Sequence, residues 1–184
     1  LPLLDGSRSA CNWRSDPDSR QPGAFGPGNL PSLLTTDYVV NMNDSYWLSN
    51  PQQPLTGYAG IIGQEEYQQS LRSRMGHTLV LDRLNGADGL NGHLASSENI
   101  REISLNNRVY SAELLKDEIL AQVCSDSAPD TEQQACQVLG AWDNTGEIDA
   151  VGAHVWSAFW SKVRTSSLYA TPFDAADPVN TPNG

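Results

Sequence analysis

The sequence predicts an α+β fold, in which a strand and a turn near residues 37–48 precede a mainly helical remainder. Residues 38–40 are the β-forming run Tyr-Val-Val, and the turn-forming run Asn-Asp-Ser follows at 43–45. Beyond residue 110, apolar residues recur at helical spacing. A chain of 184 residues is long enough to bury a sizeable core.

The N-terminal stretch, residues 1–36, is rich in Gly, Pro, Ser, Asp and Arg and shows neither helical nor strand periodicity. Such a composition is typical of a disordered linker. The stretch nevertheless carries several large apolar residues, which could anchor it to a neighbouring surface: Trp13, Phe25, Leu30, Leu33 and Leu34. We therefore expect an ordered, extended arm.

The segment after the turn predicts a helix from about residue 64 to about residue 75, with Gly76 as its break. Glu65 and Glu66 are interpreted as part of a solvated helix face. Arg72 and Arg74 fall near the predicted end of this helix, where the negative end of its dipole favours cations.

Residues 77–84 predict either a short strand or a further helical turn, and residues 85–92 predict a turn region. The turn region is not an EF-hand, because the twelfth position counted from Asp82 is His93 and not a glutamate. Ser96 or Ser97 is expected to cap a short helix.

Three further helices are predicted in the last third of the chain. The first runs from Ser111 to about residue 123, the second is capped by Asp130 or Thr131, and the third contains an aromatic-rich face at 151–160. We interpret these aromatic side chains as core and not as a ligand cage, packed against a large surface that could lie outside this chain.

Cys124 and Cys136 flank a polar loop, across which a disulfide would close easily and contribute about 2–3 kcal/mol. Two buried free thiols are the alternative. The spacing of the cysteines does not match a zinc site, so no metal ligands are predicted. Cys11 is left over, either free or paired outside this chain. A disulfide favours an oxidising compartment, and the predicted location is periplasmic or secreted.

The charge of the chain argues against one class of partner. The chain has 22 acidic and 11 basic residues, and nucleic acid, whose phosphates bind a basic face, is not an expected partner. No apolar run reaches the length of a membrane span, so no membrane partner is expected either. There is no Walker loop, and no histidine adjoins a Gly-x-Ser-x-Gly elbow. By its own residues the chain is not a complete enzyme.

Residues 38–51 read Tyr-Val-x-Asn-x-Asn-Asp-Ser-x-Trp-Leu-x-Asn-Pro. This motif closely resembles a segment in the large chain of the N-terminal-nucleophile acylases, the family of penicillin G acylase, aculeacin A acylase and the acyl-homoserine lactone acylases. Residues 4–13, 55–58 and 107–114 also resemble that family, with 4–13 closest to the acyl-homoserine lactone and aculeacin branch. The resemblance covers most of the chain.

The resemblance implies the four-layer αββα sandwich of the N-terminal-nucleophile hydrolases, to which this chain would contribute core strands near 37–48. Residues 1–184 would be a single fragment of a larger multi-chain domain, with an extended arm at 1–36, a core strand and oxyanion turn at 37–58, and a mainly helical part at 59–184. The family's nucleophile is an N-terminal Ser, whereas Leu1 has no nucleophilic atom. Both ends resemble cuts inside a longer chain. The expected partners are therefore a small α chain and the Ser-starting part of the β chain.

The resemblance also implies roles for individual residues. Asn43 matches the asparagine that donates to the oxyanion. Asn41 is the alternative if the alignment within the motif is off by two residues. In a third interpretation Asn43 only shapes the turn. Arg72, in preference to Arg74, would support the site. Tyr46 and Trp47 would line the acyl pocket, with packing as their alternative role. The implied mechanism needs no metal or organic cofactor, and a structural calcium ion stays open.

The implied reaction is hydrolysis of an N-acyl amide, with acyl-homoserine lactones as the first expected substrates and penicillins and lipopeptides as further ones. The competing hypothesis is an exported, acidic, helical binding or structural module without catalytic activity. The two differ in one expectation. A fragment of an acylase should not fold as a monomer on its own, whereas a module should.

Overall fold

The computed structural model describes residues 5–12, 14–125, 127–164 and 170–182. The chain forms two compact units, Leu1–Glu65 and Glu66–Gly184. Trp13, one of the predicted anchors of the N-terminal arm, lies outside the described residues. The division of residues 1–184 into an arm, an oxyanion turn and a helical part of one larger domain stays a prediction.

The first unit consists of turns and three short 3₁₀ helices, Ser9–Cys11, Pro27–Asn29 and Tyr46–Leu48. Two aspartates organise its N-terminal loop. The N–H of Gly26 donates to Asp16 Oδ2 at 2.6 Å, and the N–H of Gly28 donates to Asp18 Oδ2 at 2.7 Å. Leu34, beyond this loop, is 99% exposed. Whether this stretch lies across another surface, as the sequence predicts, stays a prediction.

The predicted core strand near 37–48 is not confirmed, nor is the four-layer sandwich. Residues 37–48 are all described and none of them is in a strand. The N–H of Val40 instead donates to the carbonyl of Ser49 at 2.8 Å, so the segment closes on itself as a loop. A strand requires hydrogen bonds to a neighbouring strand, and β-forming side chains do not supply that neighbour.

The second unit is mainly helical, as predicted. Its described residues contain five helices: α1 (Leu71–Asn85), α2 (Ser97–Leu105), α3 (Tyr110–Val123), α4 (Asp130–Ala141) and α5 (Ala153–Val163). Helix α3 packs against α1 and α4, and α4 packs against α5. An isolated antiparallel bridge joins Arg108 to Thr145.

The predicted bounds of the first helix are wrong at both ends. Ser70 caps it by accepting from the N–H of Ser73 at 3.1 Å, and the helix continues through Gly76 to a left-handed Gly86 (φ 68°). A glycine inside a helix costs only about 1 kcal/mol, and Gly76 is buried by packing. Residues 77–84 are therefore helical. Arg72 and the neighbouring Arg74 lie in the first turn, where the helix dipole disfavours cations.

The later helices follow their sequence signals more closely. Ser96 caps α2 by accepting from the N–H of Asn99 at 3.1 Å, as predicted. Helix α3 begins one residue before the predicted Ser111. Helix α4 begins at Asp130, but the predicted cap at Asp130 or Thr131 is wrong, because the cap residue is Pro129, which makes no side-chain capping hydrogen bond. These signals are local, since a cap and the helix that it starts are adjacent in sequence.

The core of the second unit lies between α3, α4 and α5 and contains Ala112, Leu139, Trp142 and Trp156. Trp156 is 2% exposed and donates from its indole nitrogen to Ser111 Oγ at 2.9 Å. The buried Lys116 donates from Nζ to the carbonyl of Trp142 at 2.7 Å, which satisfies both groups away from water. Trp156 of the predicted aromatic face is therefore packed within this chain, and Phe159 and Trp160 pack against the core while partly buried, whereas Val151 is 70% exposed.

The structure contains the disulfide between Cys124, which follows α3, and Cys136 in α4. Their Cα atoms are 5.9 Å apart, and the bridge joins the two helices across the loop that separates them. Cys11 is exposed and outside this bridge.

Candidate functional site

The candidate site is the turn at residues 41–45, and its base is fixed by Asn50. The side chain of Asn50 is completely buried. Its Nδ2 donates to Asp37 Oδ2 at 3.1 Å and to the carbonyl of Tyr38 at 3.0 Å, while its Oδ1 accepts from the N–H of Gln52 at 2.9 Å. A buried amide satisfied in this way links the segment before the turn to the segment after it.

A short 3₁₀ helix, Tyr46–Leu48, forms the exit from the turn. Ser45 caps it by accepting from the N–H of Trp47. Trp47 and Leu48 are 2% and 4% exposed, and the carbonyl of Trp47 accepts from the N–H of Leu55 at 3.0 Å. Apolar burial of this size holds the exit firmly, since a buried large side chain stabilises the fold by about 1.5–3 kcal/mol.

Asn43 occupies the tip of the turn and is exposed. Its backbone is left-handed (φ 63°), and its N–H donates to Asn41 Oδ1 at 2.8 Å. Asparagine is one of the few residues other than glycine that tolerate this conformation, because its short polar side chain bonds locally. The tip thus presents a carboxamide at the surface of the first unit, on a base that is buried and hydrogen-bonded.

A carboxylate outside the turn is joined to its exit. The Tyr46 hydroxyl donates to Glu65 Oε1 at 2.5 Å. The N–H groups of Gly57 and Tyr58 also donate to Glu65, at 3.0 and 3.2 Å. The rings of Tyr58 and Tyr46 meet edge to face with centroids 5.2 Å apart. The interpretation of Glu65 as part of a solvated helix face is therefore wrong, because it precedes α1 and its carboxylate accepts three hydrogen bonds.

These contacts set the charge states of the pair. Removal from water and the hydrogen bond to Glu65 raise the pKa of Tyr46 to about 12. The hydrogen bonds from Tyr46 and from the N–H of Gly57 lower the pKa of Glu65 below its ordinary value. At neutral pH the pair is a protonated phenol donating to an ionised carboxylate, which is the stronger, charge-assisted kind of hydrogen bond.

The predicted site residues fall in both units. Tyr46 and Trp47 lie in the 3₁₀ helix of the first unit, and their contribution to an acyl pocket stays a prediction. Arg72 lies in the first turn of α1 and is exposed. Arg74 is buried, with Nε donating to Asn180 Oδ1 at 3.0 Å and its guanidinium carbon 5.9 Å from the centre of the Tyr110 ring.

Two residues important to the turn were missed in the sequence. The sequence shows Asn50 only as a member of the motif at 38–51, although its place in an Asn-Pro pair soon after Trp47 and Leu48 could have indicated a buried amide that ends a turn. Glu65 gave no local signal, because its three donors lie between 7 and 19 residues away along the chain.

Two other kinds of site are absent from the part of the chain that the structure describes. Among residues 5–12, 14–125, 127–164 and 170–182, no group of three or more His, Cys, Asp or Glu side chains is placed to hold a metal ion. Within the same ranges, no helix has both the length and the apolar character needed to cross a membrane.

Comparison with known proteins defines the class of this chain. The family model for penicillin amidase matches residues 1–182, and the chain belongs to that family. It is 37% identical to aculeacin-A acylase of Actinoplanes utahensis over 98% of its length. It is 34% identical to the acyl-homoserine lactone acylase PvdQ of Pseudomonas putida over 100% of its length, and 34% identical to PvdQ of Pseudomonas fluorescens over 99%. The chain spans 23% of the length of each of these curated relatives.

Proposed function

We propose that this chain is part of an N-acyl amide hydrolase and supplies its oxyanion donor, Asn43. The nucleophile would be an N-terminal Ser on another chain of the same processed precursor, and this chain alone would not be catalytic. One observation carries the assignment: Asn43 sits at an exposed tip whose base is held by buried, hydrogen-bonded residues. Family membership supports the acylase over the alternative of a non-catalytic module.

The chemistry needs a rigid donor at this position. Serine attack on an amide carbonyl places negative charge on the oxygen, with the α-amino group of the nucleophile as the base. An amide N–H aimed at that oxygen stabilises the tetrahedral intermediate without reorganising, and loss of one such donor costs about 10²–10³ in rate. Collapse of the intermediate would break the C–N bond, with the amine leaving after it takes the proton held by the α-amino group, and would give an acyl-enzyme that water then hydrolyses to release the acid.

The names of the relatives support a substrate class. Two of them are named for acyl-homoserine lactones and one for aculeacin, so we propose N-acyl amides with a fatty acyl group, acyl-homoserine lactones first. Penicillins are a further candidate class. A periplasmic or secreted location is proposed from the disulfide, because such bridges persist in oxidising compartments.

We also propose that Arg72 supports the site. The helix dipole disfavours a cation in the first turn, so the charge of Arg72 does not stabilise α1 by that route. Arg74, by contrast, is buried and bonded to Asn180, which gives it a structural role.

The test uses the complete enzyme that contains this chain, with two substitutions at Asn43. Asn43→Gly removes the donor and tolerates the left-handed backbone, so it avoids the strain that alanine would add at φ 63°. Asn43→Asp keeps the shape but replaces the donor with an anion. We expect kcat on an N-acyl homoserine lactone to fall about 10²–10³-fold in Asn43→Gly and at least as far in Asn43→Asp.

Asn41→Gly is the matched control for the alignment of the motif, which would place the donor at Asn41 if it were off by two residues. It removes the acceptor for the Asn43 N–H but no oxyanion donor, so a smaller loss is expected. A larger loss in Asn41→Gly than in Asn43→Gly would move the role to Asn41. If both Asn43 variants kept their kcat, Asn43 would only shape the turn and the assignment would fail.

A further inference from the structure

We propose that Glu65 is a positioning residue for this reaction, which acts through Tyr46 to hold the turn that carries Asn43. The inference rests on the proposed function, because it assigns Glu65 a role only if Asn43 is the oxyanion donor. Glu65 would touch neither substrate nor nucleophile. Its effect would come from fixing the direction in which the tip of the turn points.

The first step in the argument is the convergence of donors on one carboxylate. Glu65 accepts from the Tyr46 hydroxyl and from two consecutive backbone N–H groups, those of Gly57 and Tyr58. One contact reaches the exit of the turn and the other two reach the segment after it. The carboxylate therefore joins two parts of the first unit that are separate in sequence.

The second step is the closeness of Tyr46 to the tip. Only Asp44 and Ser45 separate Tyr46 from Asn43. Tyr46 is also the first residue of the 3₁₀ helix, so a shift of its ring moves the start of that helix. Such a shift would reach Asn43 through two residues of backbone.

The third step is that segment 57–65 contacts the exit of the turn by packing as well as by hydrogen bonds. A Cβ atom added to Gly63 would lie 2.5 Å from Ser45 Oγ and 3.0 Å from the Tyr46 ring. The Tyr58 ring meets Tyr46 on an edge. The segment 57–65 thus contacts Ser45 and Tyr46 at the exit of the turn, and Glu65 ends that segment.

Asn50 anchors the base of the turn, and the buried Trp47 anchors the 3₁₀ helix at its exit, so the Glu65 contacts are not needed merely to close the loop. What the Glu65 contacts add is control of Tyr46, the residue through which the tip joins that helix. A misplacement of about 1 Å can cost about 100-fold in rate when a catalytic group must meet the reacting atom. Loss of the Glu65 contacts should therefore lower kcat and leave substrate binding largely intact.

The experiment compares Glu65→Gln and Tyr46→Phe in the complete enzyme. Glutamine offers one acceptor oxygen, so its NH₂ must face at least one of the three donors. We expect Glu65→Gln to lower kcat about 10- to 100-fold and Tyr46→Phe about 10-fold, with KM unchanged within about twofold. Glu66→Gln is the matched control: it makes the same change at the next residue, which is exposed, and should leave kcat unchanged.

A double-mutant cycle with Asn43→Gly separates positioning from general stability. If Glu65 acts through Asn43, Glu65→Gln should cost little or nothing in the Asn43→Gly background. An equal loss in both backgrounds, or a loss that tracks only the fraction of folded enzyme, would overturn the inference. If Glu65→Gln does not fold, Tyr46→Phe and Gly63→Ala carry the same cycle, since both keep the glutamate.

The outcomes also separate this inference from the proposed function. An unchanged kcat in Asn43→Gly would refute the oxyanion assignment itself. A large loss in Asn43→Gly together with an unchanged kcat in both Glu65→Gln and Tyr46→Phe would refute only the positioning role.

Discussion

At Gly152 the structure predicts a large effect of a single methyl group. It precedes α5 with φ 124° and ψ −31°, a backbone conformation that residues with a Cβ atom rarely adopt. A Cβ atom at this position would lie 2.6 Å from the Cβ of Trp142, which is buried in the core. Gly152→Ala should therefore both strain the backbone and displace Trp142.

The magnitude follows from these two effects. A residue held in a disfavoured backbone conformation costs about 1–3 kcal/mol. Forcing an extra methyl group into a packed core costs about 1–3 kcal/mol as well. The displaced Trp142 also provides the carbonyl that accepts from Lys116, so relaxation has its own cost. We expect a loss of about 2–6 kcal/mol, the sum of the two costs, in the free energy of opening α4 and α5.

Hydrogen exchange measured by mass spectrometry on the complete protein tests this locally. Because each 1.4 kcal/mol is a factor of ten, peptides covering α4 and α5 should exchange about 30- to 20,000-fold faster in Gly152→Ala. Gly140→Ala is the control. Gly140 lies in α4, where an added Cβ atom would meet nothing within 4 Å beyond its own helix. Alanine at this position should therefore raise the free energy of local opening by about 0.5–1 kcal/mol and slow hydrogen exchange. Unchanged exchange in Gly152→Ala would refute the steric argument.

Two further predictions concern covalent and pH-dependent stability. Cys136→Ser should destabilise the second unit by about 2–3 kcal/mol, because it removes the disulfide to Cys124. A reductant should lower the thermal midpoint of the wild type but not that of the variant. Equal shifts in both proteins would contradict a stabilising role of the disulfide. The folded pKa of Glu65 is lowered from 4.5, so its contacts stabilise the fold above that pH and the stabilisation is lost as the pH falls through the lowered pKa. The difference in thermal midpoint between wild type and Glu65→Gln should therefore shrink from about pH 7 to about pH 3, and a constant difference would rule out this linkage.

The helices of the second unit could largely be predicted because their signals are local. Ser96 and the apolar spacing after Ser111 specify a cap and a helix within a few residues. Gly76 was misleading for the same reason. A local rule treats it as a break, whereas packing of α1 compensates for the roughly 1 kcal/mol that a helical glycine costs.

The first unit shows where local signals end. Residues 38–40 have strand-forming side chains, yet a strand also needs a partner, and none of the described residues of 37–48 is in a strand. The tip at Asn43 could be selected from its motif. The contacts of Asn50 and Glu65 could not, because the Asn50–Asp37 and Tyr46–Glu65 hydrogen bonds join residues 13 and 19 positions apart. Hydrogen bonds of that range depend on the folded path of the chain and leave no periodicity in the sequence.

The buried Asn50 and the contacts of Glu65 have a consequence for making chimaeras between members of the penicillin amidase family. The side chain of Asn50 must match that of Asp37, and the side chain of Glu65 must match that of Tyr46. A crossover placed between positions 37 and 65 would separate residues that have to be compatible with one another. In such a chimaera, residues 37–65 should therefore all come from one parent sequence, with the crossover points outside this segment.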